Sequence, residues 1–314
     1  VPGRVSLFTS GTTGIPRLIE HRWETLNTLS RVHELPERFW FVPYQIGSYA
    51  WYQMMCLGMF SPAQHLFCAA SDDPVSSFAT ALDHGVTAIS STPTFWRYAL
   101  INLQADDLAK SQIQSITLGG EIVDQIILDQ LRKIFPGAAI RHIYASTEAG
   151  AAIVVTDGRA GFPAERLQED RIGLKIQDGK LFVRSVYTTA AASGESEAWI
   201  DTGDLVEERD GRVFFLGREA GSLINVGGVK VRPSDIEGQL LAHPNVLWAK
   251  VIPRRAPLVG TVPAARVVLR KASSDPVEDE HELVSFLGGH LQEQAIPRSW
   301  EFIKEIPLSA SQKS

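Results

Sequence analysis

The densest group of anion-binding side chains in the sequence is Phe8-Thr9-Ser10-Gly11-Thr12-Thr13-Gly14-Ile15-Pro16-Arg17, which sets four hydroxyls and two glycines directly behind the apolar run Val5-Ser6-Leu7-Phe8. Glycine lets the main chain turn several N–H groups toward one anion, the hydroxyls donate further hydrogen bonds, and Arg17 adds a fixed positive charge. That chemistry suits a nucleotide polyphosphate. The spacing is not Gly-x-x-x-x-Gly-Lys-Ser/Thr, so this is not the phosphate loop of ordinary NTPases, and a Ser/Thr/Gly loop on its own is more often a plain turn. Two further polar clusters, Gly119-Gly120-Glu121 and Ala145-Ser146-Thr147-Glu148, also follow β-rich runs. Ligands of open α/β sheets gather outside the carboxyl ends of strands, so the three clusters can converge on one crevice.

The elements that must position them are legible from periodicity. From Val5 to about Thr156, β-rich runs alternate with helical patterns, the layout of parallel α/β units. Strands are expected at Val5–Phe8, Thr87–Ser90, Ser115–Leu118 and Ile140–Tyr144, and helices at Pro74–His84 and Asp124–Phe135. In the second helix Ile127, Leu128, Leu131 and Ile134 recur at helical spacing and Asp124 serves as cap. After about Gly158 the pattern becomes antiparallel, with Asp178-Gly179 and Asp210-Gly211 as hairpin turns. Beyond Gly217, helices are expected at Asp235–Ala242 and Glu278–Gln294 and strands at Val246–Ile252 and Ala265–Leu269. The expected fold class is therefore α/β. A large N-terminal domain over 1–217 comprises a mostly parallel α/β part (1–157) and a small β subdomain (158–217), followed by a smaller α+β C-terminal domain over 218–314.

Composition narrows the partners. The 314 residues are 44% hydrophobic and 21% charged, ordinary for a globular protein, and no apolar run approaches the roughly 18 residues that span a bilayer. A formal charge of −6 without clustered Lys or Arg argues against nucleic acid. Cys56 and Cys68 have apolar neighbours and are expected to be buried free thiols in a reducing cytoplasm. The chain opens on Val1 without an initiator Met or a signal-peptide layout, which raises the expectation that residues precede it.

Taken together, TSGTTGIPR (9–17), YASTEAG (144–150), DTGDL (201–205), LGR with INVGGVKVRPSDIE (216–218, 224–237) and PLSASQKS (307–314) resemble, in order, the motifs of the adenylate-forming superfamily. That superfamily includes acyl-CoA synthetases, peptide-synthetase adenylation domains and luciferases. The resemblance implies that a carboxylate attacks the α-phosphorus of ATP to give an acyl adenylate and pyrophosphate, after which a thiol of CoA or a carrier protein, or an amine, takes the acyl group. A carboxylate is already ionised at neutral pH, so catalysis reduces to alignment and charge neutralisation.

By the same resemblance Thr9, Ser10, Thr12, Thr13 and Arg17, on a main chain bent at Gly11 and Gly14, would hold the β- and γ-phosphates. Arg17 stands where the family usually has Lys. Tyr144 would pack on the adenine, Thr147 would contact the α-phosphate, Glu148 would bind Mg²⁺, and Asp204 would accept from the ribose hydroxyls with Arg218 nearby. Gly119, Gly120, Glu121, Ala145 and Ser146 complete the implied nucleotide site. Lys313 matches the lysine that reaches the carboxylate and α-phosphate in the transition state, although Gln312 replaces the usual preceding Gly. The hinge region, Glu219-Ala220-Gly221-Ser222, carries one extra residue, and only eight residues precede Thr9, so the chain reads as an N-terminally shortened member.

For the acid, the resemblance points to the segment from Phe41 to Tyr52. It lacks the Asp that amino-acid-activating domains use to pair with a substrate ammonium, and Gln45 stands where many acyl and aryl ligases have His. Tyr44, Gln45 and Gly47 are the expected contacts, with Tyr44, Tyr49, Trp51 and Tyr52 as a flat wall for an aromatic or other planar acid. The plainer reading makes at least half of these aromatics ordinary core.

Overall fold

The computed structural model describes residues 3–9, 17–22, 36–68, 73–146, 150–168, 172–185, 198–219, 223–256 and 260–307, with the backbone alone at 8, 9, 17, 146, 151 and 152. They form two compact units that divide in sequence between Phe215 and Leu216.

The first unit opens with a hairpin. Strands β1 (Arg4–Thr9) and β2 (Arg17–Arg22) pair antiparallel from Arg4↔Arg22 to Thr9↔Arg17. The alternating pattern predicted that Val5–Phe8 would join the parallel units, but among the described residues β1 pairs only with β2, in a separate two-stranded sheet. Its nearest hydrogen-bonding partner in sequence outcompeted the distant ones.

The main sheet is built from β3 (Arg38–Val42), β4 (Gln64–Cys68), β5 (Ala88–Ser91), β6 (Ser115–Gly119), β7 (Ala139–Ser146) and β8 (Gly150–Val155), in the order β4-β3-β5-β6-β7-β8. Five strands run parallel, and β8 returns antiparallel to β7. The period-two alternation of a strand separates its faces. Phe41, Ile89, Ile116, Leu118 and Ile140 pack with α2 (Pro74–Asp83), α3 (Pro93–Asn102) and α5 (Gln125–Ile134), and the short α4 (Ala105–Lys110) adds Leu108. On the opposite face Trp40, Val42 and Ala88 meet Met54 and Leu57 of α1 (Tyr49–Phe60). Ser48, Asp73, Thr92 and Asp124 cap α1, α2, α3 and α5 by accepting from N–H groups of the first turn. Cys56 is buried, as expected, whereas Cys68 is exposed because it ends the edge strand β4. Both thiols are free.

A five-stranded sheet, ordered β10-β11-β12-β13-β9, completes this unit from β9 (Phe162–Pro163), β10 (Gly173–Gln177), β11 (Lys180–Arg184), β12 (Ile200–Arg209) and β13 (Arg212–Arg218). Its two Asp-Gly turns have φ of 51° at Asp178 and Asp210 and 72° at Gly179 and Gly211, the left-handed pair a tight hairpin requires.

Arg212 anchors the five-stranded sheet to the segment that follows β8. Its buried guanidinium donates to Asp157 at 2.6 and 3.4 Å and to the carbonyls of Arg159, Ala160 and Gly161 at 3.1, 3.1 and 3.2 Å. Burial raises the Asp157 pKa, but the Arg212 hydrogen bond, the Arg159 N–H and nearby positive charge outweigh it and hold the carboxyl below its ordinary value. Arg212→Ala is expected to cost about 3 kcal/mol, roughly 1 kcal/mol for each carbonyl left without its donor, read as a lower urea midpoint at unchanged slope. Because the native pKa is depressed, the Asp157 contribution is complete above its unfolded pKa of about 4 and is lost as pH falls through the native value. The variant should therefore lose less stability on acidification than the parent.

The second unit is one sheet, β15-β14-β17-β16 with β18 parallel to β17, formed by β14 (Ile224–Val226), β15 (Val229–Val231), β16 (Val246–Ala256), β17 (Gly260–Leu269) and β18 (Ser299–Phe302). Helices α6 (Pro233–Ala242) and α7 (Pro276–Gly288) cover it, burying Ile236, Leu240, Leu283 and Leu287 against Val251 and Val267. The helix expected to reach Gln294 stops at Gly288, because Gly288-Gly289 weakens helix propensity just where a cap is available. The α/β fold class, with a large first unit and a smaller α+β second one, is as the sequence suggested. No described helix is long and apolar enough to cross a membrane.

Candidate active site

Strand order places a crevice before any side chain is considered. β3 is followed by β4 on one side, while β5 returns to the other side of β3, so the carboxyl ends of β3 and β5 flank a topological switch point. Tyr44 follows β3, and its hydroxyl shares a 3.1 Å hydrogen bond with Oγ of Ser90 near the end of β5. Burial pushes the Tyr44 phenol up to about 12, with the Ser90 bond acting against it and the Glu121 charge adding to it, so it stays protonated and neutral at physiological pH. Gly47, at φ 85°, turns the chain into α1 and leaves Gln45 exposed. Tyr49, Trp51 and Tyr52 fall in the first turn of α1, where Trp51 and Tyr52 meet edge to face at 5.0 Å and Trp51 packs on the Trp40 cluster.

At the end of β6, Gly119 has room for a Cβ only 3.4 Å from the Ile143 carbonyl, and Gly120 takes φ 80°. These two glycines aim Glu121 at α3. Its carboxylate accepts from the N–H and the hydroxyl of Thr94, both at 3.0 Å, where the helix N-terminus favours negative charge. Arg97 of α3 donates to Asp124, the cap of α5, at 2.5 Å.

A second cluster joins the six-stranded and five-stranded sheets of the first unit. The Tyr144 hydroxyl, on β7, donates to the carboxylate of Asp204, a buried residue of β12. The Tyr144 ring stacks on Phe215 at 4.6 Å and 21°, and Phe162 lies 5.8 Å from Phe215. Asp-Thr-Gly-Asp is not a simple turn. β11 advances two residues, Phe182 to Lys180, while β12 advances four, Asp201 to Leu205, so the motif is a bulge within a strand, made possible by Gly203 at φ 69°. The Thr202 hydroxyl donates to the Leu181 carbonyl at 2.7 Å and accepts from the Asp204 N–H at 3.2 Å, which fixes the bulge.

The Thr9↔Arg17 pair closes the hydroxyl-rich loop at its base, but Ser10, Gly11, Thr12, Thr13 and Gly14 lie outside the described residues, as do the side chains of Thr9 and Arg17. Thr147, Glu148 and Lys313 also lie outside them, and Ser146 is described by backbone alone. Ala145 continues β7, and Arg218 is the exposed last residue of β13, a strand that begins in the first unit and ends in the second. Among the described residues no group of three or more His, Cys, Asp or Glu could hold a metal ion. Ser90, Thr94 and Phe215 were not anticipated as site residues. For Phe215 the signal was present, since in Val213-Phe214-Phe215 alternate residues must face opposite sides of a strand.

Residues 5–187 match the family described as AMP-binding enzyme, and residues 235–313 match the AMP-binding enzyme C-terminal domain. The chain belongs to the AMP-binding enzyme family.

Among relatives of this AMP-binding enzyme, 4-coumarate–CoA ligase 1 of Glycine max is 26% identical over 73% of the chain and 83% of its own length. The 2-succinylbenzoate–CoA ligase of Bacillus pumilus is 25% identical over 98% of the chain and 66% of its own. The fold matches the crystal structure of the anthranilate CoA ligase AuaEII in complex with anthranoyl-AMP, with TM-score 0.75 and 19% identity over 98% of the chain and 65% of that protein. The chain thus spans just under two thirds of the length of the last two.

Proposed function

We propose that this AMP-binding enzyme joins a carboxylic acid to ATP as an acyl adenylate. The acid oxygen bonds to the α-phosphorus, the bond from that phosphorus to the β-phosphate oxygen breaks, and pyrophosphate leaves. The observation that carries the reading is the Tyr144–Asp204–Phe215 cluster, a desolvated carboxylate acceptor held beside an aromatic stack and so suited to a nucleoside. Thr9, Ser10, Thr12, Thr13 and Arg17 would grip the departing pyrophosphate, and Thr147 the α-phosphate. Mg²⁺, a hard cation, would be held by Glu148 and would neutralise phosphate charge. Lys313 would neutralise charge at the reacting phosphorus. A thiol or an amine would then take the acyl group.

The acid would lie at the switch point beside Tyr44, Gln45 and Gly47. With a neutral phenol there and no acidic side chain between Phe41 and Tyr52, an aromatic or other planar acid fits better than an α-amino acid. Coumarate and succinylbenzoate in the names of two relatives agree with an aromatic acid, while a third relative is named for butyrate. Two free cysteines suit a reducing compartment, and we place the reaction in the cytoplasm. The test is exchange of labelled pyrophosphate into ATP over a panel of aryl, fatty and amino acids. Exchange is expected with aryl acids and not with amino acids, and ATP binding without exchange for any acid would sink the reading.

A further inference from the structure

Tyr144 and Asp204 come from different sheets, and no local motif joins them. Each is braced from behind. The Tyr144 ring lies against Phe215, and the Asp204 N–H is held by the Thr202 hydroxyl, itself bonded to the Leu181 carbonyl. The Tyr144 hydroxyl donates to Oδ2 of Asp204, taking one of the roughly four lone-pair sites of a carboxylate. The terminal torsion of an aspartate is otherwise broad, so a donor fixed at one oxygen narrows the orientations the carboxylate can adopt. A vicinal diol needs that narrowing, because its two hydroxyls must reach the carboxylate together.

Resting on the adenylation reading above, in which Asp204 meets the ribose, we propose that the Tyr144 hydroxyl is a positioning group that makes nucleotide binding selective for ribose over deoxyribose. The ring and the hydroxyl then have separate duties. The ring contributes affinity for any adenine nucleotide, and the hydroxyl sets how Asp204 reads the sugar.

ATP, 2′-deoxyATP and 3′-deoxyATP titrated calorimetrically into the full chain and into Tyr144→Phe separate the two duties. The parent is expected to bind ATP roughly tenfold or more tightly than either deoxy analogue, the worth of one charge-assisted hydrogen bond. Phe fills the same space and keeps the stack on Phe215. In Tyr144→Phe the ratio should fall to within about threefold because ATP weakens while the deoxy analogues barely change. A hydroxyl with a merely structural role would weaken all three nucleotides alike and preserve the ratio, which would overturn the inference. A parent that binds ATP and both deoxy analogues equally overturns it as well, while pyrophosphate exchange with ATP would still uphold adenylation. A folded parent that binds no ATP and supports no exchange removes both readings.

Discussion

Lys313→Ala is expected to slow acyl-adenylate formation by roughly 10²–10³-fold while moving the ATP dissociation constant by less than about threefold. In the proposed reaction an anionic carboxylate approaches a phosphorus that already carries negative oxygens, so charge concentrates at the reacting centre only as the new bond forms. A lysine there is worth most in the transition state and little in the ground state. The assignment comes from Lys313 standing six residues after Pro307 in the closing PLSASQKS motif. Single-turnover formation of the adenylate, with ATP affinity measured by calorimetry, checks both halves. An unaltered rate would make the tail a spectator, and a matched loss of ATP affinity would make Lys313 an ordinary phosphate contact.

Asp204→Ala is expected to raise the KM for ATP by roughly 10²-fold and to leave kcat within about threefold once ATP is saturating. Two hydrogen bonds from ribose hydroxyls to an ionised acceptor are worth about 1.5 kcal/mol or more each, and the 8% exposure of Asp204 keeps water from replacing them. Asp204→Asn retains an acceptor and should fall between parent and alanine. The reading fails if KM is unchanged in folded Asp204→Ala protein, shown by a native-like thermal transition. The variant also removes the acceptor of the Tyr144 hydroxyl, so a modest loss of stability should accompany it.

What could be read in advance follows from the range of the interaction involved. The Asp178-Gly179 and Asp210-Gly211 turns were legible because φ above zero is a property of two adjacent residues. The Asp124 cap and the Ile127, Leu128, Leu131 face of α5 were legible because helical neighbours lie within four positions. β3, α1, β4 and β8 went unassigned, since their aromatic and small residues have no clean period. The antiparallel partner of β1 was missed because its strand looks like any other in the alternating pattern.

The sequence by itself determined the family, through five motifs in order, and with it the types of residue available to grip a phosphate, a ribose and an acid. Only the tertiary structure decided that Asp-Thr-Gly-Asp is a bulge in a strand, that Glu121 is bound to the first turn of α3, and that Phe215 backs Tyr144. It also brought Tyr144 and Asp204, sixty positions apart, into one hydrogen bond across two sheets. A motif records which groups are close along the chain. Hydrogen bonds and ring stacking depend on distances of a few ångströms, which are set by how the sheets pack.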